Sequence, residues 1–127
     1  MSQKLVIDSN SQTPIFQQIV DDVENKILAG ELGEGDFLTS VRDFAVTNTV
    51  NPNTVAKAYQ ILQSMDLVEP VRGKGLKVKK IKNRVATARR DDLISEKINE
   101  LLILAESLKI SKEILINLIK TKGRKHE

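Results

Sequence analysis

Apolar side chains recur along this chain at spacings of three and four, then briefly alternate, then return to the longer period. Phe16, Ile19, Val20, Val23 and Ile27 form the first stripe. Thr13 and Pro14 precede it and Gly30 follows, so it predicts an amphipathic helix closed by a glycine. Val41, Phe44 and Ala45 predict a shorter helix, with Ser40 as its cap and Asp43 three residues on, close to a capping box. Thr47-Asn48-Thr49 reads as a turn. A third helix follows over about 52–65, on Val55, Ala58, Tyr59, Leu62 and Met65. Asn51 can cap it, and Pro52 suits the first helical position, where no N–H is needed. Asn53, Thr54 and Lys57 fall on its polar side.

The alternation comes next. Leu67–Val71 predicts a strand that Pro70 confines to an edge, Arg72-Gly73-Lys74-Gly75 a hairpin tip, and Leu76-Lys77-Val78-Lys79 a half-buried strand with its lysines outward. Leu5-Val6-Ile7 is a candidate strand, and Gly33 and Gly35 point to a flexible loop. After a basic stretch, Ile94, Ile98, Leu101, Ala105 and Leu108 repeat like a heptad seam, which Leu93, Leu102 and Leu104 widen. That seam could pack within the chain, and Leu102, Leu104, Leu115 and Ile119 would then stay exposed unless a second copy covered them. Ser111 can cap a last helix carrying Ile114, Leu115, Leu118 and Ile119, before a polar tail at Lys122–Glu127 that should fray.

These elements predict a mostly α chain with a small β wing. Residues 1–80 read as a winged helix-turn-helix, 81–90 as a basic linker or helix start, and 91–127 as a two-helix tail. A polar helix start after a tight turn is what a DNA-reading helix needs, because its first residues face base edges and phosphates.

Charge sharpens this picture. Residues 1–40 hold two basic against seven acidic side chains, residues 41–90 eleven against three, and residues 91–127 seven against seven. The basic block covers the third helix, the hairpin and the linker, where it can attract phosphate. A solvated basic surface is the plainer alternative. With 127 residues the chain has room for one domain, or a small domain and an appendage. Aromatic residues make up only 3%, so its core must be aliphatic. The absence of cysteine excludes disulfides and thiolate zinc sites and fits a reducing cytoplasm. No apolar run approaches a membrane span, and Met1–Asn10 shows no signal pattern.

Catalysis finds little support. His126 is the only histidine, and Gly73-Lys74-Gly75 lacks the rest of a phosphate-binding loop. Asp21-Asp22, Asp91-Asp92, Glu96 and Glu100 read as helix-surface charge. No cofactor, metal or catalytic residue is expected.

The N-terminal part resembles the DNA-binding domain of the GntR family of bacterial transcription regulators. The landmarks are Pro14-Ile15-Phe16-x-Gln18-Ile19; Gly30-x-Leu32-x-x-Gly35-x-x-Leu38-x-Ser40-x-Arg42; Asn51-Pro52-Asn53-Thr54-Val55-x-x-Ala58-Tyr59-x-x-Leu62; and Gly73-x-Gly75-x-x-Val78. The short tail resembles the YtrA-type subgroup, in which it serves dimerisation. The chain departs from the family at Thr39, where proline is usual, at Asn48 for leucine, at Asp66 for glycine, and at Leu76-Lys77 for threonine and an aromatic. Thr49 stands where glycine is common, so a positive φ there would be strained.

The resemblance implies a homodimeric, sequence-specific repressor of a transporter-type operon, bound to duplex DNA at an inverted repeat. The residues it offers for DNA are Ser40, Arg42, Asn51, Asn53, Thr54, Lys57, Tyr59, Arg72, Gly73 and Lys74. Arg42 could instead pair with Asp43, Asn51 could serve only as a cap, and Tyr59 could simply pack. Ile94, Ile98, Leu101, Leu102, Leu104, Ala105, Leu108, Leu115, Leu118 and Ile119 are the dimerisation candidates. One helix pair has a single inner face, and these side chains are too many for it. Any small-molecule effector would sit at a dimer interface or between tail and DNA-binding domain. The competing reading is a winged-helix module that binds a protein without reading DNA. The polar set beside a basic wing argues against it.

Overall fold

The computed structural model describes Leu5 and residues 7–124. They form two compact units, one ending at Asn83 and the other starting at Arg84. The first contains α1 (Ile15–Leu28), α2 (Val41–Asn48), α3 (Pro52–Ser64), β1 (Val68–Val71) and β2 (Gly75–Val78). It is a winged helix-turn-helix. α3 is central and packs on α1, α2 and β1. Ile19, Val20 and Val23 of α1, Phe44 of α2, Val55 and Leu62 of α3 and Val78 of β2 are fully buried. The core is aliphatic apart from Phe44 and Tyr59, which meet edge to face with centroids 6.0 Å apart.

Local chemistry explains the boundaries. Ser40 Oγ accepts the Asp43 N–H at 3.1 Å, and Asn51 Oδ1 accepts the Asn53 N–H at 2.8 Å, so both helices of the turn start on side-chain caps. Pro52 occupies the first turn of α3. Gly30, at φ 84°, takes the left-handed step after Ala29 that ends α1.

The turn is tighter than the sequence suggests. α2 runs through Thr47 and Asn48, and the bend falls on Thr49, at φ 53° and ψ 52°. Its geometry is held by the Val50 N–H donating to the Ala45 carbonyl at 3.0 Å. A side chain in this region costs about 1–2 kcal/mol, partly offset by the entropy glycine would lose. Thr49→Gly should therefore stabilise the first unit by up to about 1 kcal/mol, read by urea denaturation. A destabilised variant would show that the threonine side chain has a packing role.

The expected strand at Leu5-Val6-Ile7 is not formed at Leu5 and Ile7, and Val6 lies outside the described residues. The Leu5 N–H instead donates to Asn48 Oδ1 at 2.8 Å, which ties this segment to the end of α2. The loop expected to be flexible at Gly33 and Gly35 is pinned. The Gly33 N–H donates to Asp36 Oδ2 at 2.8 Å and the Gly35 N–H to the Val78 carbonyl at 3.0 Å. The Leu38 N–H donates to Leu76 and the Val78 N–H to Asp36 across the free edge of β2, with Phe37 bridging Lys77. The wing is thus a two-stranded antiparallel sheet, with a third strand reduced to one bridge. β1 keeps the outer edge, where Pro70 is tolerated.

The second unit holds α4 (Asn83–Ser107) and α5 (Lys112–Arg124). Ser111 Oγ accepts the Ile114 N–H at 3.3 Å and so caps α5. The helix runs to Arg124, further than the fraying tail suggests; Lys125–Glu127 lie outside the described residues. At 1.5 Å per residue α4 is about 37 Å long and α5 about 20 Å, so α5 can cover only part of its neighbour. The two pack little beyond their turn, where Leu102, Ala105, Ile110 and Leu115 line a small cavity.

The predicted internal seam is therefore corrected. Of Ile94, Ile98, Leu101, Ala105 and Leu108, only Ala105 is buried. Leu102 and Leu115, expected outside, are half-buried instead.

Candidate nucleic-acid interface

α3 presents two flanks on either side of its buried stripe. On one, Ala56, Tyr59, Gln60 and Gln63 recur at three- and four-residue spacing. They face the wing across a groove of about 340 Å³, closed by Thr39, Ser40, Lys74, Gly75 and Leu76. Beyond Ser40 the groove adjoins an open hollow of about 710 Å³ lined by Phe37, Arg42, Asp43, Val46 and Thr47. The two share Leu38, Thr39 and Ser40, so one continuous face runs from the start of α2, past α3, to the wing.

This face gathers some of the sequence candidates and not others. Ser40 and Lys74 line the groove and Arg42 the hollow. Arg42 is exposed and forms no ion pair with Asp43 among the described residues. Asn53 is exposed at the first turn of α3, and Asn51 beside it is the cap. Arg72, Gly73 and Lys74 form the exposed wing tip, where the Lys74 N–H donates to the Val71 carbonyl at 3.0 Å. Gly73 and Gly75 sit at φ 78° and 111° with open space where a Cβ would stand. The backbone angle demands glycine there, not crowding.

Two candidates sit elsewhere. Lys57 lies on the other flank, its Nζ 3.8 Å from the centre of the Phe16 ring of α1, in a cation–π contact. Thr54, on that same flank, is half-buried. Tyr59 is 3% exposed, and its hydroxyl donates to the Thr39 carbonyl at 2.7 Å. Burial pushes that hydroxyl well above its ordinary range, so it stays a neutral donor. It anchors the segment before α2 to α3.

Gln60, Gln63 and Ala56 are absent from the sequence candidates. The signal for them was the helical period counted toward the wing rather than away from the core.

A groove rimmed by Gln60, Gln63 and Lys74 between a helix and a basic hairpin, on a winged helix-turn-helix, is the architecture of a DNA-binding regulator. Comparison with known proteins gives the particular kind. Residues 15–78 match the family described as bacterial regulatory proteins of the gntR family. The chain is 34% identical to the HTH-type transcriptional repressor YtrA of Bacillus subtilis, over 90% of this chain and 88% of that one. It superposes on a GntR family transcriptional regulator from Listeria monocytogenes with TM-score 0.76 at 29% identity, covering 88% of this chain and 97% of that one. YtrA from Sulfolobus acidocaldarius, a GntR-family transcription factor, matches at TM-score 0.58 and 29% identity, over 95% and 97%. The chain belongs to the GntR family of transcription regulators, with a tail of the YtrA type. Members of this family regulate transcription and are not enzymes. Among the described residues, no helix is long and apolar enough to cross a membrane.

Proposed function

We propose that this regulator is a cytoplasmic, homodimeric repressor that binds an inverted-repeat operator in a sequence-specific way and controls a transporter-type operon. The observation that carries the reading is the groove in which Gln60 and Gln63 of α3 face the Lys74 wing, with Arg42 alongside. A glutamine can bond adenine in bidentate fashion and an arginine guanine, while the wing supplies cations for phosphate. A surface built only for a protein partner has no need of that combination. The repressor's name of the Bacillus relative and its near-full-length match support the sign of regulation. The exposed apolar faces of α4 and α5 support the dimer.

Footprinting of the full-length protein on the promoter of its own operon tests the reading. One protected inverted repeat is expected. Uniform protection with no preferred site would leave a DNA binder without sequence specificity, and the reading would be abandoned.

The flanks of α3 make a sharper distinction. Gln60→Ala should cost about 1–3 kcal/mol on the operator and relax discrimination at one base-pair position. Lys57→Ala should leave the ranking of operator variants unchanged, since its ammonium is placed over Phe16. A panel of single-base operator variants reads both. Weakened discrimination with Lys57→Ala and none with Gln60→Ala would assign the reading flank to the α1 side.

A further inference from the structure

Between Lys77 and Arg90 the chain carries Lys77, Lys79, Lys80, Lys82, Arg84, Arg89 and Arg90 and no acidic residue. Two of these cations are matched within the wing. Lys77 Nζ lies 3.7 Å from Glu69, and Lys79 pairs with Asp66. Lys80, Lys82 and Arg84 are exposed and have no acidic partner among the described residues. They leave β2 directly, so the chain passes out of the wing through them.

Burial does not account for this segment. Val85 is 51% exposed, and between Lys82 and Asp92 only Ala86 is even half-buried. Local electrostatics do not account for it either. α4 has no acidic side chain in its first turn, and an arginine there opposes the helix dipole. Three neighbouring cations that pack on little and meet no acid among the described residues suit an external polyanion.

We propose that Lys80, Lys82 and Arg84 hold phosphates of the operator duplex outside the base pairs that α3 reads, adding affinity without sequence preference. This rests on the DNA-binding reading above. Duplex DNA is the occupant because the run continues the basic wing without a break, and because closely spaced exposed cations suit a repeating line of phosphates.

The test is the full-length triple variant Lys80→Gln/Lys82→Gln/Arg84→Gln. Its affinity is measured against salt, on the footprinted duplex and on single-base variants of it. The plot of log affinity against log salt should become shallower by about 0.9 for each phosphate that is no longer neutralised. All duplexes should weaken by the same factor. Arg84→Lys alone, which keeps the charge, should keep the wild-type slope. A triple variant with wild-type slope and affinity would overturn the proposal while leaving the reading of α3 intact. Unequal weakening among the duplexes would overturn it too, since it would mean that the segment reads bases. A wild-type protein that binds no duplex would remove both readings together.

Discussion

Operator affinity should fall about 10³–10⁵-fold between 50 and 200 mM salt if a dimer neutralises roughly 6–10 phosphates. Arg42 on the hollow, Arg72 and Lys74 on the wing, and Lys80, Lys82 and Arg84 beyond it are exposed cations that each copy could bring to phosphate. Two copies hold enough to reach that range. Each condensed counterion that they displace is a salt-dependent gain, and at a Debye length of about 10 Å the more distant charges add little. Residues 1–40 carry a net negative charge and residues 41–90 a net positive one, so charge is distributed along the chain more unevenly than its net value of +3 suggests. Fluorescence anisotropy titrations at several salt concentrations give the slope. An affinity that stays flat across the range for every duplex would remove phosphate contact as the source of binding.

The helices and wing were legible because each rests on a local signal. The stripe from Phe16 to Ile27, the caps Ser40 and Asn51, and the alternation at Leu76–Lys79 each specify structure within a few residues. What escaped depends on contacts distant in sequence. The bridge of Phe37 to Lys77 and the pinning of Gly35 by Val78 join segments some forty residues apart, and nothing near Gly33 announces them. In the candidate site, the exposed Arg42, Asn53 and wing tip followed from residue type and position. Lys57 did not. Periodicity puts it on the polar arc of α3, but only the position of α1 shows that Phe16 lies beneath it. Gln60 and Gln63 were missed for the mirror-image reason, because the wing that makes their flank a groove folds back from later in the chain. The internal seam of the tail failed because a heptad pattern gives which residues share a face and says nothing of what covers it.

Replacing Leu104 and Ile119 together by glutamate should yield a monomer with a folded first unit and operator affinity about 10²–10⁴-fold lower. In one chain, Ile94 is 62% exposed, Ile103 69%, Leu108 60%, and Leu104 and Ile119 53% and 55%. Ile98, Leu101, Ile114, Ile116 and Leu118 are exposed as well. Soluble monomers rarely leave so many large apolar side chains of two helices to water. Covering each such side chain is worth about 1.5–3 kcal/mol, against roughly 4–15 kcal/mol for lost translational and rotational freedom. Ten side chains on each of two copies, half covered, supply roughly 15–30 kcal/mol, which is at or above that cost. Leu102 and Leu115 are poorer choices for the experiment, because they are half-buried against their own hairpin and glutamate there would disturb the fold as well as the association. Leu104 and Ile119 are exposed in the single chain, so replacing them reads association alone. A two-fold dimer joins two reading helices, and tethering makes the second half-site contact intramolecular, which is the source of the expected drop in affinity. Sedimentation velocity gives the mass and circular dichroism the fold. A wild-type protein that is monomeric at micromolar concentration and still binds the intact operator tightly would show that the tail faces serve another purpose.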